Sequence, residues 1–168
     1  MTLFLIPARA GSKRLPGKNK RLFCGIPLWQ WAEAQALRVY DENHDGIIVS
    51  TDDDDILFTS HRAHYRPKLF CGDEVPMQEV VDFYMALLQQ TSLCLLQPTS
   101  PTRSDSLVRS MIARGDACRS VTDSVPNGQC YVYRQGMAMV DVETAMGHDI
   151  NLLSEFQQAE AVMLRRFA

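Results

Sequence analysis

The residues best suited to chemistry lie in one stretch near the N-terminus: Arg9-Ala10-Gly11-Ser12-Lys13-Arg14-Leu15-Pro16-Gly17-Lys18-Asn19. Six basic side chains (Arg9, Lys13, Arg14, Lys18, Lys20 and Arg21) fall within thirteen positions, and no acid occurs before Glu33. The whole chain carries a formal charge of −3, so this excess is local. A loop of Gly, Ser and Lys offers free backbone N–H groups and mobile cations, which together suit a polyphosphate. Arg can hold two phosphate oxygens at once, and Lys brings a compact charge on a flexible stem. Two common nucleotide motifs are excluded by spacing. A Walker A loop needs four residues between its glycines and then Lys-Ser or Lys-Thr. Here five residues separate Gly11 from Gly17, and Asn19 follows Lys18. No Gly-x-Gly-x-x-Gly run is present either. A merely solvated basic loop is the simpler alternative. Two glycines and two prolines that fix the backbone weigh against it.

Four other groups could contribute. Ser50-Thr51-Asp52 ends an apolar run and leads into Asp53-Asp54-Asp55. Consecutive acids point apart and rarely share one ion, so this run reads as a capped helix start. The segment Leu95-Leu96-Gln97-Pro98-Thr99-Ser100-Pro101-Thr102-Arg103 is an apolar strand that ends in a proline-braced polar turn. Gln97 can donate and accept hydrogen bonds, and Arg103 can face a carboxylate. In His148-Asp149-Ile150-Asn151, alternation along an extended chain puts Asp149 and Asn151 on one side. Their oxygens suit Mg²⁺, which keeps several waters and shares phosphate oxygens. Simple helix capping is the alternative, and His148 reads as a surface histidine. Asn127-Gly128 has the composition of a hairpin turn.

These residues need a scaffold that gathers distant loops. Residues 3–7, 46–50, 93–97, 117–122 and 129–134 read as strands. Residues 28–40, 53–61, 75–89, 105–114 and 152–167 read as helices, with Ser104 placed to cap the fourth. The alternation implies a doubly wound α/β sheet, with ligands at the carboxyl ends of its strands. Each candidate motif begins where an expected strand ends. One domain over 1–168 is expected from the length. Five scattered cysteines form no C-x-x-C pair, which argues against a zinc or redox motif and for free thiols in a reducing cytosol. Positive charges follow the first apolar run rather than precede it, and no stretch is long enough to span a membrane. The slight negative charge argues against nucleic acid. A cytoplasmic protein is the expectation.

The N-terminal loop, the Ser-Thr-Asp and Leu-Gln-Pro-Thr-Ser-Pro segments and the Asp-Ile-Asn segment together resemble the sugar-acid cytidylyltransferases, the CMP-sialic acid synthetase family. The resemblance implies a three-layer α/β/α nucleotide-diphospho-sugar transferase fold with a mostly parallel, mixed sheet. It also implies CTP as donor, an acidic nonulosonate-like acceptor, Mg²⁺ as cofactor and pyrophosphate as leaving group. On that basis Ala8, Arg9, Gly11, Ser12, Lys13, Lys18 and Asn19 would hold the nucleotide, with Ser50 and Thr51 beside its base. Gln97, Thr99, Ser100, Arg103 and Asn127 would meet the acceptor, and Asp149 and Asn151 the metal. Arg9, Lys13, Lys18 and Asp149 would carry catalysis.

Three departures qualify the resemblance. Asn151 stands where the family usually has a second Asp, which removes one negative charge. Val125 replaces a usual Arg. About two dozen residues separate the Gln97–Arg103 segment from Asn127, where the family carries a longer insertion that reaches across a dimer. A monomer, or a dimer made without that arm, is therefore expected. A smaller acceptor such as a phosphonate, or nucleotide binding without catalysis, stays open as an alternative.

Overall fold

The computed structural model describes residues 1–145 and 147–167, the last by its backbone alone. The first apolar run becomes β1 (Leu3–Pro7), and it is continuous because both its faces are covered. Phe4 and Ile6 point to one face, Leu3 and Leu5 to the other, and all four are buried. Parallel pairing sets β1 between β4 (Gly46–Thr51) and β6 (Ser92–Leu95). With β5 (Ala63–Tyr65), β7 (Cys118–Thr122), β8 (Val125–Arg134) and β9 (Val140–Glu143), the sheet runs β5-β4-β1-β6-β8-β7-β9. Only β8 opposes its neighbours, so the sheet is mixed but mostly parallel.

Helices cover both faces, which makes three layers. On one face α1 (Leu28–Val39) and α4 (Asp105–Ala113) bury Trp29, Ala32, Ala36, Val108 and Met111 against Phe4, Ile6 and Val132. Ser104 caps α4 as expected, accepting a hydrogen bond from Leu107 N–H at 3.2 Å. On the other face α3 (Met77–Leu87) sets Val80, Val81 and Tyr84 on Leu5, Leu93 and Leu95. The short α2 (Asp54–Thr59) is capped by Asp53, which accepts from Asp55 N–H at 3.0 Å, so the acidic run is a helix start. The last helix, α5 (Leu153–Phe167), packs Phe156, Ala159 and Met163 on Phe23, Leu28 and Ile150. No helix among the described residues is long and apolar enough to cross a membrane.

Three elements escape the sequence pattern: β5, β9 and a small hairpin of β2 (Leu22–Phe23) and β3 (Ile26–Pro27). Each is very short, and β5 and β9 are edge strands with one neighbour only. The hairpin turn expected at Asn127-Gly128 is also displaced. The β7–β8 turn is made by Asp123 and Ser124, both at positive φ (51° and 62°). This two-residue connection, after α4 and β7, fills the interval in which an inserted arm was expected to be missing. Asn127-Gly128 lies inside β8 instead, beside a register shift opposite Arg119–Val121.

Gly128 has φ +73°, and a Cβ there would sit 3.5 Å from Asp149 Cγ. The contact distance is ordinary, so the requirement for glycine comes from the backbone. Gly128→Ala is expected to cost about 1–2 kcal/mol of stability, read as a lowered urea midpoint with an unchanged slope.

Candidate nucleotide-binding site

The chain leaves β1 into a loop pinned at its start and near its end. Ala8 N–H donates to Ser50 O at 2.8 Å, and the Thr51 hydroxyl donates to Ala8 O at 2.7 Å. Ala10 N–H donates to Asp52 Oδ1 at 2.7 Å. Seven residues on from Ala10, Gly17 at φ +65° turns the chain into a single 3₁₀ turn, Lys18–Lys20. Asn19 is buried in that turn and donates through Nδ2 to Arg9 O at 2.9 Å, closing the loop on itself. The loop opens on a cleft of about 420 Å³ at the carboxyl ends of β1, β5 and β6.

Arg9, Ser12, Lys13, Lys18 and Asn19 all line this cleft, and Gln97 and Thr99 face them from beyond β6. Arg14, which reads from sequence as a rim residue, lines it too. Arg9 donates through Nη1 to Cys71 O at 3.1 Å and through Nη2 to Asp73. Lys13 pairs with the other Asp73 oxygen at 2.7 Å. Lys18 sits deeper and donates to Ile150 O at 2.7 Å, with Asn151 Oδ1 at 3.5 Å. Burial lowers its pKa to about 8, the charge of Asp149 opposes that shift, and Arg14 and Arg9 add to it.

Other expected site residues sit elsewhere. Ser50 and Thr51 are fully buried, and both brace the loop rather than open onto the cleft. Ser100 is buried and donates to Gly128 O at 3.1 Å. Arg103 is buried as well. Its guanidinium donates to Gln35 Oε1 at 2.6 Å and to the Gln97 and Gln129 carbonyls, so it stitches the turn to β8 and does not face a ligand carboxylate. Asn127 has filled its hydrogen-bonding capacity: Oδ1 accepts from Ser120 and Gln129 N–H, and Nδ2 donates to Thr122 and Thr144. Short polar side chains next to prolines and glycines carry the same sequence signal whether they bind a ligand or brace a turn.

Asp149 and Asn151 do share one side of the chain, with Asn151 Nδ2 donating to Asp149 Oδ2 at 2.8 Å. Neither caps α5. Glu155 does so, accepting from Asn151 N–H at 2.7 Å and Leu152 N–H at 2.8 Å. Ile150 N–H donates to Thr99 O at 2.8 Å, which ties this segment to the cleft wall.

Sequence reasoning missed Arg66 and Asp73. Arg66 lines the cleft, yet it is 1% exposed and donates to Ser50 Oγ at 2.8 Å and Ser50 O at 3.1 Å. Its signal was the pair Arg66-Pro67 just after a strand too short to recognise. Asp73 follows Gly72 in an irregular segment, and nothing local in the sequence announces its reach to Arg9, sixty-four positions away.

A family model described as "Cytidylyltransferase" matches residues 3–99, which contain the loop and the Gln97 turn. The chain belongs to the cytidylyltransferase family. Its relatives include the CMP-N,N'-diacetyllegionaminic acid synthase of Legionella pneumophila, 35% identical over 117 residues, 64% of this chain and 50% of that protein. The pseudaminic acid cytidylyltransferase of Campylobacter jejuni is 29% identical over 119 residues, with the same coverage of 64% and 50%. The chain thus spans about half the length of the curated relatives it matches. In fold it is similar to CMP:2-keto-3-deoxy-manno-octonic acid synthetase complexed with CTP. The TM-score is 0.77 at 17% identity, covering 98% of this chain and 99% of that one. The two chains share the nucleotide-diphospho-sugar transferase architecture at low identity.

The lowered Lys18 pKa generates a test. The ammonium that faces the cleft is lost as pH rises through about 8, and a bound polyphosphate would restore it. Nucleotide binding in metal-free buffer should take up a proton above pH 8 and weaken as pH rises further. Calorimetry at pH 8.5 in two buffers of different ionisation enthalpy checks this, and Lys18→Met should abolish the uptake.

Proposed function

We propose that this member of the family transfers CMP from CTP to an acidic acceptor and releases pyrophosphate. The observation that carries the reading is the convergence of Arg9, Lys13 and Lys18 on one cleft, in a loop that lies within the family match. The hydroxyl oxygen of the acceptor gives its proton to water and bonds to the α-phosphorus of CTP. The bond from that phosphorus to its bridging oxygen breaks, and pyrophosphate leaves with the electron pair. Negative charge grows on the phosphoryl and leaving oxygens, where Lys18, Arg9 and Lys13 stabilise it. Backbone N–H groups at Gly11 and Ser12 add donors on the same loop. Asp149, which does not line the cleft but sits on the segment tied to Thr99, orients the acceptor hydroxyl, and Gln97 and Thr99 offer the acceptor polar contacts. Ser50, Thr51, Ser100, Arg103 and Asn127 act through the backbone that they hold.

A divalent cation would be held by the Asp149–Asn151 segment, which Ile150 N–H ties to Thr99 at the cleft wall. Asp149 presents an exposed carboxylate, the Asn151 amide beside it would turn its oxygen from Lys18 to the ion, and capping falls to Glu155. An all-oxygen donor set with a single carboxylate suits Mg²⁺, with waters and phosphate oxygens completing its coordination. When bound, the ion would neutralise charge on the phosphates. The curated relatives are named for nonulosonic acids, and we take an acidic sugar of that class as the acceptor. The short β7–β8 connection favours a second reading, a smaller acid such as a phosphonate. All five cysteines are free thiols, which suits a cytoplasmic setting. With a two-residue turn in place of an arm, the protein acts as a monomer or as a dimer built on another surface.

Pyrophosphate release with CTP and Mg²⁺, across a panel of sugar acids and small phosphonates, tests the reading. Release that depends on one acceptor supports it and identifies the acceptor class. CTP binding with no release from any acceptor points to a non-catalytic nucleotide-binding protein. In an active preparation Lys18→Ala should lower turnover by about 10²–10³-fold, the scale for loss of a preorganised charge-stabilising donor. Asn151→Asp restores a second carboxylate and should lower the Mg²⁺ concentration for half-maximal rate by roughly tenfold, read from a metal titration.

A further inference from the structure

The two outer cations of the loop are already engaged by one carboxylate. Asp73 binds Arg9 through Oδ1 and Lys13 through Oδ2. It thereby spans the cations that a polyphosphate would use. Lys13 and then Arg9 hold its carboxyl below the usual carboxylate range. Asp73 belongs to neither neighbouring helix. It lies between a 3₁₀ turn, Lys68–Phe70, and α3, directly after Gly72, in a turn closed by Val75 N–H donating to Gly72 O at 3.3 Å. Glu74 also lines the cleft, but among the described residues it bonds neither cation.

We propose that Asp73 is an internal competitor for Arg9 and Lys13, displaced by polyphosphate and returning as pyrophosphate departs. This rests on the reading of the loop as a polyphosphate site. A carboxylate and a phosphate cannot share the same N–H groups, so a ligand that takes the Arg9 Nη2 and Lys13 donors now used by Asp73 must replace those contacts. One negative charge against two cations leaves a net positive site, which a weakly charged anion gains little by entering. An anion with several charges offsets the loss of Asp73 and more. The same competition shortens the stay of pyrophosphate, because the carboxylate re-forms its pairs as soon as one phosphoryl group lets go. Asp73 thus acts as a specificity-determining residue that sets a charge threshold for the loop.

The test is calorimetric titration of sodium pyrophosphate and, separately, CTP into wild type, Asp73→Asn and Glu74→Gln at pH 7.5 without divalent metal. Asp73→Asn should bind pyrophosphate about tenfold tighter than wild type, a scale moderated by the partial exposure of the pairs. Glu74→Gln removes the same charge from the same cleft without a contact, and should change affinity by less than about threefold. Unchanged or weaker pyrophosphate binding by Asp73→Asn overturns the proposal, since Asp73 would then position Arg9 for the ligand. Equal effects of the two substitutions also overturn it, because the field of the cleft rather than the bonded carboxylate would be responsible. Failure of both wild type and Asp73→Asn to bind pyrophosphate does so too. Binding of pyrophosphate but not CTP would instead overturn the nucleotide reading and leave the Asp73 comparison intact.

Discussion

Ala8 is held from two directions as it leaves the sheet: its N–H donates to Ser50 O and its carbonyl accepts from the buried Thr51 hydroxyl. These bonds continue the parallel β1–β4 ladder one residue past its end, into the start of the basic loop. They set where Arg9 begins and hence where its guanidinium reaches. Arg66 buttresses the same point by binding both Ser50 oxygens, and Asn19 ties the far end of the loop to Arg9 O. A cationic loop with so many like charges has no reason to be compact by itself. Hydrogen bonds to the carboxyl ends of β1 and β4 hold its backbone without drawing on the cationic side chains, which Asp73 and the Ile150 carbonyl engage instead.

The opposite wall is organised by buried charge in place of sheet pairing. Arg103 is enclosed, and burial lowers its pKa from the ordinary arginine value. A buried guanidinium is tolerable only when its donors are satisfied, and Gln35 with the Gln97 and Gln129 carbonyls does this. The arrangement joins the turn after β6, the start of β8 and helix α1. Through the Ile150–Thr99 hydrogen bond it also sets Asp149 and Asn151 opposite Lys18. In this geometry the Asn151 amide reaches both Asp149 and the Lys18 ammonium.

Much of the scaffold could be read from residue patterns. The continuous apolar runs at β1, β4 and β6 signal strands covered on both faces, and the spacing in α1 and α3 signals helices with one buried side. Ser104 and Asp53 announced their helix starts through ordinary capping chemistry. Where reading failed, the cause was a weak or shared signal. The edge strands β5 and β9 are three and four residues long and half solvated, too brief for alternation to show. Asn127-Gly128 carries the hairpin composition, yet Asp123 and Ser124 take the left-handed turn because the bulge in β8 sets the register.

The sequence by itself determined that a dense cationic loop follows a buried strand, in a chain of alternating strands and helices. Charge density, glycine spacing and apolar periodicity are local properties that a linear reading can hold. Only the tertiary structure decided which polar residues face the cleft and which brace it. Ser50, Thr51, Ser100, Arg103 and Asn127 look like ligand contacts along the chain, but their hydrogen bonds are spent on backbone and neighbouring side chains once the sheet assembles. Arg66 and Asp73 look unremarkable along the chain and end up in the cleft. The physical reason is that a hydrogen-bonding group takes whatever partner folding brings within about 3 Å, and partners brought from other elements leave no mark on the local sequence.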